Sequence, residues 1–124
     1  MVGDAMIRGG NVTIFVSDIS KALGFYVSEL GLKLVKRHSE HWATLSAGAG
    51  FTIGLHKKSP NHPEPGTLGA MLFGLHVPGS LSTEIERLQQ RGVTFERSGV
   101  DAVGKFAYLR DPDGNQFYLW STQR

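Results

Sequence analysis

The chain states its plan twice, about sixty residues apart, and this repeat limits its possible folds more than any other feature. Asn11 to Val16 alternates apolar and other residues, as a half-buried strand does. Ser17 and Asp18 then supply helix-capping side chains; Ile19, Leu23, Tyr26 and Leu30 fall on one helical face, and Gly31 ends it. The second copy has a strand over Leu72 to Val77, a stripe of Leu81, Ile85 and Leu88, and a stop at Gly92. Strand starts lie 61 residues apart, and so do the stopping glycines.

After each helix come three short strand-like stretches, at 32–38, 41–46 and 51–57 and again at 93–97, 105–110 and 115–121. The expected fold is therefore α+β, with two tandem βαβββ modules at residues 8–57 and 70–121. A linker at 58–69, marked by Pro60, Pro63, Pro65 and Gly66, joins them into one domain. A helix covers one face of each four-stranded sheet and leaves the other bare. Pairing two modules into a curved, half-open mixed sheet completes the fold and creates a cleft.

Composition narrows the function. With 124 residues and 40% hydrophobic content, the chain can build one core. It has no cysteine, so disulfides, thiol nucleophiles and thiolate metal sites are excluded. Its 13 basic and 11 acidic residues are dispersed, the densest basic spots being the pairs Lys36-Arg37 and Lys57-Lys58, which do not make a nucleic-acid footprint. No apolar run reaches the roughly 20 residues that span a bilayer, and residues 1–10 lack the order of a signal peptide. A cytoplasmic location is the expectation, with neither nucleic acid nor membrane as partner.

Strand alternation assigns the faces. Val12, Ile14 and Val16 belong under the helix, as do Ala43, Leu45, Phe51, Ile53, Leu55, Phe73, Leu75, Val77, Ala107, Leu109, Phe117 and Leu119. The opposite parity lines the cleft with Phe15, Trp42, His56, His76, Phe106, Tyr108, Tyr118 and Trp120, and with no acidic residue. That lining suits a flat, partly apolar ligand, although aromatics also pack against one another or across subunits.

The segment from Asn11 through Asp18 and Phe25-Tyr26 to Leu30-Gly31 resembles the opening of the vicinal-oxygen-chelate superfamily, the glyoxalase, bleomycin-resistance and dihydroxybiphenyl-dioxygenase group. The tail Leu109-Arg110-Asp111-Pro112-Asp113-Gly114-Asn115-Gln116 resembles that family's closing hairpin, and the likeness covers about residues 8 to 121. Asp111 to Gly114 also reads as a type I turn, with both aspartates solvated or bonded to backbone. The resemblance implies four metal-ligand positions facing the cleft, and here they hold Asn11, Gly54, Leu72 and Tyr118. Gly54 and Leu72 have no donor, Asn11 is a weak one, and a phenol must first lose its proton, so no metal or other cofactor is expected there.

The favoured expectation is thus a metal-independent small-molecule-binding protein. The alternative is a lyase, isomerase or dioxygenase-like enzyme of the same superfamily with a relocated metal or acid–base site at His56 and His76. His38 and His41, beside a hairpin turn, and His62, in the linker, are expected to be solvated. The resemblance also implies a homodimer, whose modules pair within a chain or by exchange between chains; exchange would bring Trp42 of one subunit to Trp120 of the other.

Overall fold

In a computed structural model, residues 11–68, 72–100 and 104–123 are described. The first module runs β1 (Asn11–Val16), α1 (Ile19–Leu23), β2 (Lys33–Ser39), β3 (Trp42–Gly48) and β4 (Phe51–Lys57). The second runs β5 (Gly74–His76), α2 (Leu81–Gln90), β6 (Phe95–Val100), β7 (Lys105–Arg110) and β8 (Gln116–Ser121). Each module forms its own sheet, ordered β1-β4-β3-β2 and β5-β8-β7-β6. In each, the first strand pairs parallel with the last and the other pairs are antiparallel. The two βαβββ modules expected from the repeat are present.

The helix starts follow from their caps. Asp18 Oδ1 accepts from Lys21 N at 2.9 Å, and Ser80 Oγ accepts from Thr83 N at 3.2 Å. Gly31 and Gly92, with φ of +86° and +93°, make the left-handed turns that end both helical segments.

The first helix departs from a uniform α-helical stripe. After Leu23 it widens into a π-helical turn, Gly24–Glu29, in which Leu30 N donates to Phe25 O at 2.9 Å. The wider turn brings two consecutive aromatics, Phe25 and Tyr26, into the core and leaves Leu23 and Leu30 only partly covered. The second β-strand of each module begins later than its sequence suggested: β2 starts at Lys33 and β6 at Phe95. β5 covers three residues rather than six, although Tyr118 N still donates to Phe73 O and Val77 N to Trp120 O on either side of it.

One core spans both modules. Ile14, Val16, Ala43, Leu45, Ile53 and Leu55 are fully inside from the first sheet, and Ala107, Leu109 and Phe117 from the second. Aromatic rings join the modules: Phe117 stacks on Phe73 at 5.0 Å and 2°, meets Phe25 edge-on at 6.3 Å, and lies 5.9 Å from Tyr26. Phe73 also lies 6.4 Å from Phe51 of the first module. Among the described residues, no helix is long and apolar enough to cross a membrane.

Candidate functional site

The bare face of the first sheet carries a cluster of aromatic and imidazole rings. Register sets Phe15 and Trp42 on either side of His56. The His56 ring is 5.7 Å from Phe15 and 5.6 Å from Trp42, edge-on to both. The linker adds His62, contrary to the expectation that it is solvated: its ring lies over Phe15 at 4.4 Å and meets His56 at 5.0 Å. Ser59 N donates to His62 Nδ1 at 3.1 Å, which fixes that ring. His41 is exposed as expected. His38 is exposed too, yet its Nε2 hydrogen-bonds with Thr44 Oγ1 at 3.0 Å and its ring lies 5.6 Å from Trp42.

The bare face of the second sheet carries the larger opening, a cavity of 470 Å³. Phe106, Tyr108, Tyr118 and Trp120 form its aromatic wall, with Leu72, Arg97, Lys105 and Ser121 around them. Tyr108 and Tyr118 face each other at 5.5 Å, as their pairing in the β7–β8 ladder requires. His76 packs on Trp120 at 4.4 Å. The guanidinium of Arg97 lies 4.2 Å from the Tyr108 ring centre and 5.9 Å from that of Phe106, so the aromatic wall orients a cation.

Two glycines explain how the large rings lie flat. A Cβ on Gly54 would come within 3.3 Å of the Trp42 ring, and one on Gly74 would overlap the Tyr118 ring at 2.4 Å. Each ring covers the bare backbone of the neighbouring strand, the close approach for which a glycine inside a strand is the signal.

A polar lock ties the closing turn to the first module. Asp111 is buried and accepts from Tyr26 Oη at 3.0 Å, Asn115 Nδ2 at 2.9 Å, Asn115 N at 2.8 Å and Asp113 N at 2.9 Å. Solvation does not describe this carboxylate; its backbone bonds do match the turn reading. Asp113 Oδ2 accepts from Ser17 N at 3.1 Å, again a backbone bond. Asn115 Nδ2 donates to Phe15 O at 3.0 Å, and Asn115 Oδ1 accepts from Gly66 N at 2.8 Å, which docks the linker as a strap. Burial pushes the Asp111 carboxyl up, against the hydrogen bonds of Asn115 and Tyr26 that favour its charge. Burial also raises the Tyr26 phenol well above its ordinary value, with the Asp111 charge adding to the shift.

Beneath the strap lies a 210 Å³ cavity that draws on both modules, with Thr13 and Phe15 from one side and Phe73, Asn115 and Gln116 from the other. Glu64 lines it too and pairs with Lys58. A second carboxylate, Glu96, reaches Arg110 at 2.6 Å and Gln116 at 2.9 Å. Among the described residues, the 470 Å³ cavity has neither aspartate nor glutamate in its lining.

The four positions that the resemblance pointed to do not fit a divalent metal. Asn11 is exposed, the backbone of Gly54 is covered by Trp42, Leu72 is half exposed, and the Tyr118 ring is laid over Gly74. Among the described residues no three His, Asp or Glu side chains converge to hold an ion. His56 and His76, expected as partners in a relocated site, stand on different sheets in different ring clusters.

The eight residues expected in the cleft thus form two groups: Phe15, Trp42 and His56 on the first sheet, and His76, Phe106, Tyr108, Tyr118 and Trp120 on the second. No described ring contact joins the groups within the chain. Three contributors escaped sequence reasoning. His62 reaches the first cluster through the course of the linker, which periodicity does not describe. Lys105, at the start of β7, was outside the aromatic pattern. Arg97 was missed because a bulge in β6 lies between Phe95 and Arg97, so that Phe95 pairs with core-facing Leu109 while Arg97 pairs with Tyr108. Unbroken alternation from Phe95 would bury the charge of Arg97, and that conflict was the available clue.

Residues 9–119 match the family described as the Glyoxalase/Bleomycin resistance protein/Dioxygenase superfamily, and the chain belongs to it. Among solved structures it is similar to TnmS3, an antibiotic binding protein from Streptomyces sp. CB03234, at 30% identity and a TM-score of 0.77, over 94% of this chain and 97% of that one. A glyoxalase/bleomycin resistance protein from the same Streptomyces strain is 28% identical with a TM-score of 0.73, over 91% and 99% of the two chains. A lactoylglutathione lyase from Agrobacterium tumefaciens, at 18% identity, TM-score 0.74 and 95% of both chains, shares the fold. No curated protein matches the chain.

Proposed function

We propose that this protein binds a planar, partly apolar small molecule without a metal, as a cytoplasmic homodimer in which a second copy completes the cleft. The observation that carries the reading is the 470 Å³ cavity walled by Phe106, Tyr108, Tyr118 and Trp120. Its size lies in the range of small-molecule sites, and flat aromatic walls recognise flat ligands through area and stacking. The similarity to an antibiotic binding protein supports binding rather than turnover. A completing copy is supported by the separation of the two ring clusters on one chain: each presents half-buried aromatics on an uncovered sheet face. In the exchanged arrangement Trp42 of one subunit faces the cavity of the other.

Trp120→Ala should weaken binding of a planar aromatic ligand by at least about tenfold, since the lost stacking is worth about 1 kcal/mol or more beyond the lost area. Titration by tryptophan fluorescence, with Trp42 as the remaining reporter, checks this; unchanged affinity would reduce Trp120 to a packing role. Elemental analysis before and after incubation with zinc, nickel, manganese and iron tests the metal-free reading. One tightly held ion per chain would overturn it. Gel filtration that finds a monomer at working concentration would remove the shared cleft.

A further inference from the structure

We infer that the ligand of the second-sheet cavity is a planar anion, an aromatic ring bearing a carboxylate or another delocalised oxyanion, which Arg97 grips while the ring lies on the aromatic wall. This rests on the aromatic cavity being the ligand site and adds the charge of what enters it. Among the described residues, two cations, Arg97 and Lys105, line the cavity, and no carboxylate does. Neither cation is engaged in an ion pair among the described residues. The other described arginines differ: Arg37 bonds Ser20 and Ser39, Arg87 pairs with Glu84, Arg91 bonds Glu29 O, and Arg110 pairs with Glu96.

Arg97 instead lies over Tyr108 at 4.2 Å, with Phe106 at 5.9 Å behind it. Stacking uses the face of a guanidinium and leaves its edge N–H donors free, and that edge matches a planar oxyanion with two parallel hydrogen bonds. The same wall therefore offers ring faces for the apolar body of a ligand and a guanidinium beside them for its charge. Fixing Arg97 before binding lowers the ordering cost of the grip. Lys105 adds a second positive charge at the same opening, which favours anions further and disfavours cations of equal shape.

The test compares three probes of one shape: naphthalene-2-carboxylate, naphthalene-2-carboxamide and 2-naphthylmethylammonium, titrated into the intact protein by calorimetry. The carboxylate should bind at least about tenfold more tightly than the amide, and the ammonium most weakly, the size of effect expected for a charge-assisted hydrogen bond. Arg97→Gln should bring the carboxylate down to the affinity of the amide, so that the ratio of the two within the variant is the readout. Arg97→Lys should restore part of the preference, because it returns the charge without the fork. Amide binding by Arg97→Gln shows that the variant cavity still takes the ring. Equal binding of carboxylate and amide by the parent protein, or a preference that survives Arg97→Gln, would overturn the anion while leaving the aromatic site standing. If none of the three probes binds, the aromatic site falls and the inference with it.

Discussion

Phe117→Ala should destabilise the fold by about 3–5 kcal/mol, the usual cost of emptying a fully enclosed aromatic position. That is a large share of the roughly 5–15 kcal/mol that holds a domain together, so the variant is expected to melt far earlier or to be recovered partly unfolded. The position is costly because of where its neighbours come from. Phe73 belongs to its own module, whereas Phe25 and Tyr26 belong to the first, so one truncation loosens the packing of both modules together. Denaturant melts followed separately at Trp42 and Trp120 should shift to the same degree. A melt that moved at Trp120 alone would show that the modules unfold independently.

Asp111→Ala should cost about 3 kcal/mol, because it strands the Tyr26 hydroxyl and the donors of Asn115 and Asp113 where water does not readily replace the lost acceptor. Tyr26→Phe removes a single partner and should cost about 1 kcal/mol. The double variant should be less destabilised than the sum of the two, since both act on the same bond. The ionisations give a second readout with a definite sign. The Tyr26 phenol keeps its proton in the folded chain to a pH well above its ordinary value of 10.0, while the unfolded chain releases it near that value. Folding thus retains a proton, and stability falls as pH rises past about 10. Tyr26→Phe should flatten that alkaline decline in chemical denaturation curves. Asp111 acts in the same direction at acid pH: its folded value is raised above the ordinary 3.8, so its contribution is fully present below that value and declines as pH rises through the raised one. Asp111→Asn should remove that slope, and a curve with the parent's slope would assign it to another carboxylate.

The βαβββ plan could be read from the sequence because it is written in periodic signals: two-residue alternation, a helical stripe and a stopping glycine, each stated twice. The strands β1, β4 and β7 fall where alternation put them, and the faces of Trp42, Tyr108, Tyr118 and Trp120 follow from the same parity. Where the chain leaves those periods, the reading weakens. The π-helical turn at Gly24–Glu29 depends on placing two adjacent aromatics, Phe25 and Tyr26, in one core, which an even stripe does not anticipate. The bulge that turns Arg97 to the cavity breaks strand parity, and the strap that sets His62 on Phe15 has no period. Local pattern also could not reveal that Asp111 reaches back 85 residues to Tyr26, since turn chemistry alone already accounts for an aspartate at that place.

The ring of Trp42 over Gly54 also bears on ancestry. The resemblance put Gly54 at a ligand position, and a donor side chain placed there would meet the Trp42 ring first. An imidazole or carboxylate at residue 54 would begin with its Cβ 3.3 Å from the indole, a contact tight enough that the ring would have to move. Trp42 would have to tilt away or be trimmed, which would disturb the aromatic surface it makes with His56. The order of substitutions is therefore constrained: the indole at residue 42 has to give way before residue 54 can carry a side chain.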